Sequence, residues 1–322
     1  RRIRLDYNLT AAELLAKIKA TVPDVTMVDI DRWREEGKLQ YRLIDDQIRY
    51  FDSEPNNLFR FSTEARTRRR QTDRCERSGW KFALPKHVAQ LLEIARDSDR
   101  PIVYPVKHYV TYRLAVNEKH PRLKTGAKVR CWLPYPQEYR QQGKVRLVAT
   151  QPAQSVIALA GYPQRTIYLE RTVEDPAPAP VFEASFEFET SAYCPNLTPD
   201  RVASYNQQSR LFKEFTAERP PHIVFTPAIR QVVAEVAAAE PNPLQRARKL
   251  FRWVNDHIHY CSEMEYSTIR NISAKALATR KGDCGVQGLL LITLYRAAGI
   301  PARWQSGWES KPNGWNMHDW IE

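Results

Sequence analysis

Lys281-Gly282-Asp283-Cys284-Gly285-Val286-Gln287 runs directly into Gly288-Leu289-Leu290-Leu291-Ile292-Thr293-Leu294-Tyr295-Arg296-Ala297-Ala298. Gly282 interrupts regular structure, Asp283 is a short capping acid, and the apolar run that follows is helix-forming. Cys284 is therefore expected in the first turn of a buried helix. At that position, backbone N–H groups without helical partners and the positive end of the helix dipole favour thiolate over thiol. The same N–H groups suit an oxyanion forming on an attacked carbonyl. A thiol so placed points to acyl transfer rather than to packing.

The chain downstream supplies a partner. Gly299 closes the helix, and Ile300-Pro301-Ala302-Arg303-Trp304-Gln305-Ser306-Gly307-Trp308 reads as a departing strand. Glu309 to Gly314 has turn chemistry, with Asn313-Gly314 as the hairpin signal. Trp315 to Glu322 is the returning strand, which would carry His318 back to the face packed on the Cys284 helix. His318 is the expected base, taking the thiol proton and later protonating the leaving amine.

Gly-Asp-Cys-Gly, Ala-Gly-Ile-Pro-Ala-Arg, Gly-Trp and His-Asp-Trp-Ile-Glu follow one another in order. Together they resemble the core of the transglutaminase-like superfamily. The segment from Pro241 to Tyr260 is similar to that family's leading helix, so the resemblance runs over residues 241–322. It implies a papain-like α+β fold in which a cysteine on a helix meets histidine and aspartate on an antiparallel sheet. Cys284 would be the nucleophile and His318 the base. The family's aspartate lies on a strand beyond the histidine strand, and the chain stops at Glu322 before such a residue. Asp319 is a poor substitute, because neighbouring side chains on a strand point to opposite faces. A catalytic domain cut short at its C-terminal end is the expectation, with an unaided dyad as the other reading.

The implied chemistry is attack on a protein or peptide amide through a thioester. Peptide or amide hydrolysis, as by a transglutaminase-like cysteine protease, is favoured over Gln–Lys cross-linking. An inactive binding or scaffold protein is the reading from another class. No cofactor or metal is called for: no segment has the form of a calcium loop, and the cysteines form no zinc framework. Gln287, Tyr266 and Asn271 are polar candidates for assisting an oxyanion.

Composition narrows the partners. The 322 residues carry a net charge of +12, but the surplus is spread evenly along the chain, which argues against a dedicated nucleic-acid face. The densest basic cluster, Arg66, Arg68, Arg69, Arg70, Arg74 and Arg77, is diluted by Glu64, Asp73 and Glu76 and reads as a solvated segment. No apolar stretch is long enough to span a bilayer. The chain opens Arg1-Arg2-Ile3, as a processed protein would, with export slightly favoured over a cytoplasmic location. Besides Cys284, Cys75, Cys131, Cys194 and Cys261 read as wholly or partly buried thiols.

Three regions are expected. Residues 1–100 mix helix and strand, with Thr10 capping a helix and Asp45-Asp46 turning between two strands. Residues 101–195 alternate in short strands suited to a β-sandwich. In residues 196–322, the catalytic domain, helices are expected over Pro199 to Glu218, from Pro227 after Thr226, and from Pro243. In the last of these, Leu244, Ala247, Leu250, Phe251, Val254 and Ile258 share one face. His257 and His259 are spaced wrongly for a helical metal pair; His87, His108, His120 and His222 have no nucleophile or ligand spacing nearby. Trp304, Trp308, Trp315 and Trp320 either wall an acyl channel or pack the sheet.

Overall fold

The computed structural model describes residues 2–69, 79–162, 164–311 and 314–322. The chain is a mixed α+β protein that divides into two compact units, Arg1–Ser78 with Leu197–Glu322, and Gly79–Asn196. The expected first region is thus split. Residues 2–69 cluster with the C-terminal third, while the helix beginning at Gly79 clusters with the strands of the second unit.

The first unit opens with α1 (Ile3–Asp6), α2 (Ala11–Lys19), α3 (Met27–Glu35), the hairpin β1 (Tyr41–Ile44) and β2 (Gln47–Tyr50), α4 (Glu54–Phe61) and α5 (Thr63–Arg68). Thr10 and Glu13 form a reciprocal capping box at the start of α2. Asp45 and Asp46 both have positive φ, as a tight hairpin turn requires. Leu14 and Ile18, one helical turn apart, pack with Ile30, Trp33, Tyr50 and Leu58 in a local core. In the described part of the basic cluster, Arg68 is engaged by Asp24, Asp29 and Glu64, and Arg66 donates to the carbonyls of Phe59 and Arg60. Arg70, Arg74, Arg77 and Cys75 lie outside the described residues.

The second unit comprises α6 (Gly79–Ser98), β3 (Ile102–Ala115), β4 (Lys128–Pro134), β5 (Gln142–Gln151), β6 (Ser155–Ile157), β7 (Thr166–Thr172) and β8 (Val181–Tyr193). Two three-stranded sheets, ordered β3-β8-β5 and β4-β7-β6, share one apolar cluster. Phe182, Ala184 and Phe186 on β8 meet Cys131, Leu133, Ile167 and Leu169 from the other sheet there. Three of the alternate residues of β8 are acids, and flanking strands meet them with cations: Glu187 with Lys107 and Arg146, Glu189 with Lys144, Glu183 with Arg113. Period-2 alternation thus places an apolar core on one face and a cross-strand charge ladder on the other.

The chain re-enters the first unit through α7 (Arg210–Thr216), α8 (Pro227–Ala237), α9 (Pro243–His257), β9 (His259–Tyr260), α10 (Ile272–Thr279), β10 (Lys281–Gly282), α11 (Cys284–Ala297), β11 (Trp304–Lys311) and β12 (Gly314–Ile321). Thr226 and Asn242 cap α8 and α9. The helix expected over Pro199 to Glu218 is reduced to a short 3-10 turn at Pro199–Arg201 and to α7. Asn206 accepts from the Gln208 N–H and Ser209 caps α7, so local side-chain bonds replace helical ones between these pieces. On α9, Leu250 and Val254 are buried, but Phe251 lies outward and is 56% exposed. Among the described residues no helix is long and apolar enough to cross a membrane.

Tyr7 and Phe51 join Leu250, Val254, Val286 and Leu290 in a single core cluster, which is why the N-terminal elements fold with the C-terminal third. Polar bonds reinforce this junction. Asn57 accepts from the Ser262 N–H at 2.8 Å and donates to the Ser262 carbonyl at 3.1 Å. Asp6 accepts from the Glu265 N–H at 2.9 Å. Residues 261–269, the strap between β9 and α10, are thereby pinned from the N-terminal side.

Glu54, 1% exposed, supports that junction by accepting from the Gln40 N–H and the Asn57 amide. Burial pushes its carboxyl from the ordinary 4.5 up to about 7. The folded chain therefore keeps a proton that the unfolded chain releases earlier, and the stability contributed is lost as pH rises through this window. We expect the stability difference between wild type and Glu54→Gln to fall by about 2–3 kcal/mol between pH 5 and 7.5. Urea unfolding of both proteins at the two pH values measures this.

Candidate active site

Helix α11 is a buried post. Val286, Leu290, Ile292 and Leu294 are fully buried, and Thr293 and Arg296 are buried with them. Each buried polar group is satisfied. The Thr293 hydroxyl pairs with Ser273 of α10 at 2.8 Å, and Arg296 donates to the carbonyls of Ala302 and Ala217 at 2.9 Å each. Gly299, at φ +73°, closes the helix in the left-handed region.

The first turn is built as the sequence foretold. Asp283 is the N-cap, its Oδ1 accepting from the Val286 N–H at 3.1 Å, and Cys284 is the first helical residue. Parallel pairing of β10 with β9 fixes the approach, setting Gly282 opposite Tyr260. The three polar oxyanion candidates are each engaged elsewhere. Gln287 donates its amide to the Gly282 carbonyl at 2.9 Å, Asn271 caps α10 by accepting from the Ala274 N–H, and Tyr266 donates its hydroxyl to Asp283 Oδ1 at 2.5 Å.

Strands β11 and β12 pair antiparallel, with Gly307 opposite His318 and Ser306 opposite Asp319. Asp319 is the β12 residue turned to the helix start, where the Cys284 thiol donates to Asp319 Oδ2 across 3.8 Å. Ile321, two residues on, packs against the α11 core. His318 occupies the alternate face and is exposed, as is Trp320 at 46%. The structure therefore brings Asp319 to Cys284 and does not bring His318 there. The expectation of a cysteine–histidine contact on this strand face differs from the observed arrangement by one residue of alternation. Trp304 packs in the cluster beneath the strands, whereas the Trp320 ring lies over Gly307.

Electrostatics at the thiol run against the helix-start expectation. Burial is the main cause holding the Cys284 thiol above its ordinary range, and the Asp283 and Asp319 carboxylates add to it. Backbone N–H groups of Asp319 and Gly285 act in the opposite direction. Asp319 is itself raised, by burial first and by Asp283 second. Two acids and a half-buried thiol share a low-dielectric corner, so ionisation of the thiol and of Asp319 is opposed there.

No group of residues suited to a metal ion occurs among the described residues. Cys131 and Cys261 are buried and Cys194 and Cys284 half-buried, all four as free thiols. His108 contacts the Thr190 hydroxyl and stacks on Phe188; His222 accepts from the Ile272 N–H.

The site is tight at Gly285. A Cβ there would lie 2.2 Å from the Tyr266 hydroxyl and 2.8 Å from Asp319 Oδ2, whereas at Gly288 the nearest atom is 3.5 Å away. Gly285→Ala is expected to destabilise the first unit by about 1–3 kcal/mol through overpacking. Gly288→Ala meets only ordinary contact and gains up to about 1 kcal/mol of helix propensity. Thermal unfolding of the two variants side by side checks the contrast.

Residues 230–322 match the family model of the transglutaminase-like superfamily, so the chain carries a transglutaminase-like domain there. No curated protein matches the chain. Among solved structures, a candidate cysteine protease from Cytophaga hutchinsonii is similar at 14% identity and a TM-score of 0.44. That likeness covers 68% of this chain and 74% of the other. The periplasmic domain of TgpA from Pseudomonas aeruginosa is similar at 17% identity and a TM-score of 0.31, covering 62% of this chain and 66% of its own. At these scores neither likeness bears on what this chain does.

Proposed function

We propose that the transglutaminase-like domain at residues 230–322 carries out acyl transfer on protein or peptide amides, with Cys284 as nucleophile. The observation that carries this reading is the thiol at the first position of a capped, buried helix, faced by an ionisable side chain from the neighbouring strand. In this reading α11 and the β11–β12 pair are the helix and sheet of a papain-like core. The two three-stranded sheets of the second unit form a β-sandwich.

The steps follow from those positions. Sγ attacks the amide carbonyl carbon, and first-turn N–H groups of α11 stabilise the oxyanion. The C–N bond breaks, the thiol proton passes through the base to the leaving amine, and a thioester remains. Water then hydrolyses the thioester and the thiol regains its proton. An amine in place of water gives a cross-link by the same path; hydrolysis is the reading we favour. The base is His318. Its neighbour Asp319 holds that position in the structure, and a one-residue change in how β12 faces α11 exchanges the two.

A specific observation favours a second reading, an inactive binding domain. Burial first, and the Asp283 and Asp319 carboxyls beside it, push the Cys284 thiol above its ordinary range, and His318 faces away from it. Alkylation of Cys284 against pH, followed by peptide mapping, separates the readings. The remaining cysteines serve as internal controls. For the enzyme, Cys284 labels well below the ~8.5 of a free cysteine. His318→Ala abolishes this low-pH labelling while Asp319→Ala retains it. If Asp319→Ala instead speeds labelling and His318→Ala changes nothing, the observed arrangement is the working one and the base assignment fails. Labelling of Cys284 no faster than that of the ordinary thiols points to the binding domain.

A further inference from the structure

The Asp283 carboxylate presents a difficulty that the proposed reaction has to overcome. Its Oδ1 caps α11, yet the carboxylate adjoins the residue whose thiol must lose a proton. The strap between β9 and α10 bears on this conflict. Tyr266, half-buried on that strap, reaches the helix start and donates its hydroxyl to Asp283 Oδ1 at 2.5 Å. The same oxygen accepts from the Val286 N–H. Gly285 has no side chain where the Tyr266 ring and hydroxyl sit, and any Cβ there would meet them at 2.7 and 2.2 Å. The strap is held in turn by Asn57 on Ser262 and by Asp6 on Glu265. Tyr266 is therefore placed by packing on both sides and aimed at one atom.

We propose that Tyr266 is a positioning residue for the Cys284 reaction, its hydroxyl holding the Asp283 carboxylate in the cap and drawing that carboxylate's charge away from the sulfur. The proposal rests on Cys284 being the nucleophile of the reading above. A charge-assisted O–H···O⁻ bond withdraws negative charge from the carboxylate and fixes its rotamer, so thiolate formation next to it is less opposed. Burial and the bond to Asp283 both push the phenol's own ionisation up, so it remains a donor throughout the working range. The ionisable groups around the sulfur are Asp283 at the cap, Asp319 on β12, Tyr266 on the strap and Tyr260 on β9. Of these, Tyr266 bonds to the cap acid, and Asp319 to the thiol.

This role differs from that of an oxyanion donor, and a double-mutant cycle tells them apart. The full chain is alkylated at Cys284 across a pH series as wild type, Tyr266→Phe, Asp283→Asn and the double variant. Phenylalanine keeps the ring that fills the space over Gly285, and asparagine remains a good cap. Tyr266→Phe is expected to move the Cys284 profile to higher pH, slowing labelling at a fixed pH by roughly threefold to tenfold. Asp283→Asn is expected to move it lower, and adding Tyr266→Phe to Asp283→Asn should move it no further. An unchanged profile in Tyr266→Phe overturns the proposal. So does an equal shift in both backgrounds, which would mean that the phenol acts on the sulfur directly. The wild-type profile with His318→Ala tests the nucleophile reading; only the differences within this cycle test Tyr266, so either can fail alone.

Discussion

Asp283 Oδ1 accepts two hydrogen bonds, and the architecture around Cys284 depends on them. One comes from the Val286 N–H and starts helix α11; the other comes from the Tyr266 hydroxyl and ties the strap to that start. A helix begun elsewhere would rotate its whole apolar surface, since successive residues turn by about 100°. Fixing the cap therefore fixes which side chains enter the core and leaves Cys284 half-buried at its edge. Lack of a side chain at Gly285 allows the strap to come close enough for the second bond.

The N-terminal elements gain a reason for packing where they do. A strap of nine residues with little regular structure does not hold a tyrosine in place unaided, because its backbone groups lack ladder partners. Asn57 and Asp6 supply those partners, and Tyr7 and Phe51 enter the same apolar cluster as α11. The buried carboxyl of Glu54 is the cost of this arrangement, tolerated because two donors reach it. Residues 2–69 thus act as scaffold for the cysteine helix rather than as an independent appendage.

Much of the fold was legible from local rules. The cap at Thr10, the hairpin at Asp45-Asp46, the cap at Thr226, the helix opening at Pro243 and the Asp283–Cys284 helix start all came from short-range chemistry that tertiary context did not override. The failure over Pro199 to Glu218 came from the same range, where Asn206 and Ser209 bond to nearby backbone in place of a helix. Tyr266 was visible only as a polar residue upstream of the cysteine. Its partner is 17 residues away in sequence and meets it through a turn that no periodicity announces.

What the sequence alone determined is the identity and setting of the thiol: Cys284 at a capped helix start, followed by a strand pair carrying His318 and Asp319 side by side. These follow from helix signals, turn signals and composition, all of which act within a few residues. Only the tertiary structure decided which of the two neighbours meets the sulfur. Alternation on a strand puts one of them inward, and that choice depends on how β12 lies across α11, where Ile321 enters the core together with Asp319. It also decided the ionisation of the site. Helix-start N–H groups favour the thiolate locally, whereas burial and the Asp319 carboxyl, both brought by packing, oppose it together with the adjacent Asp283.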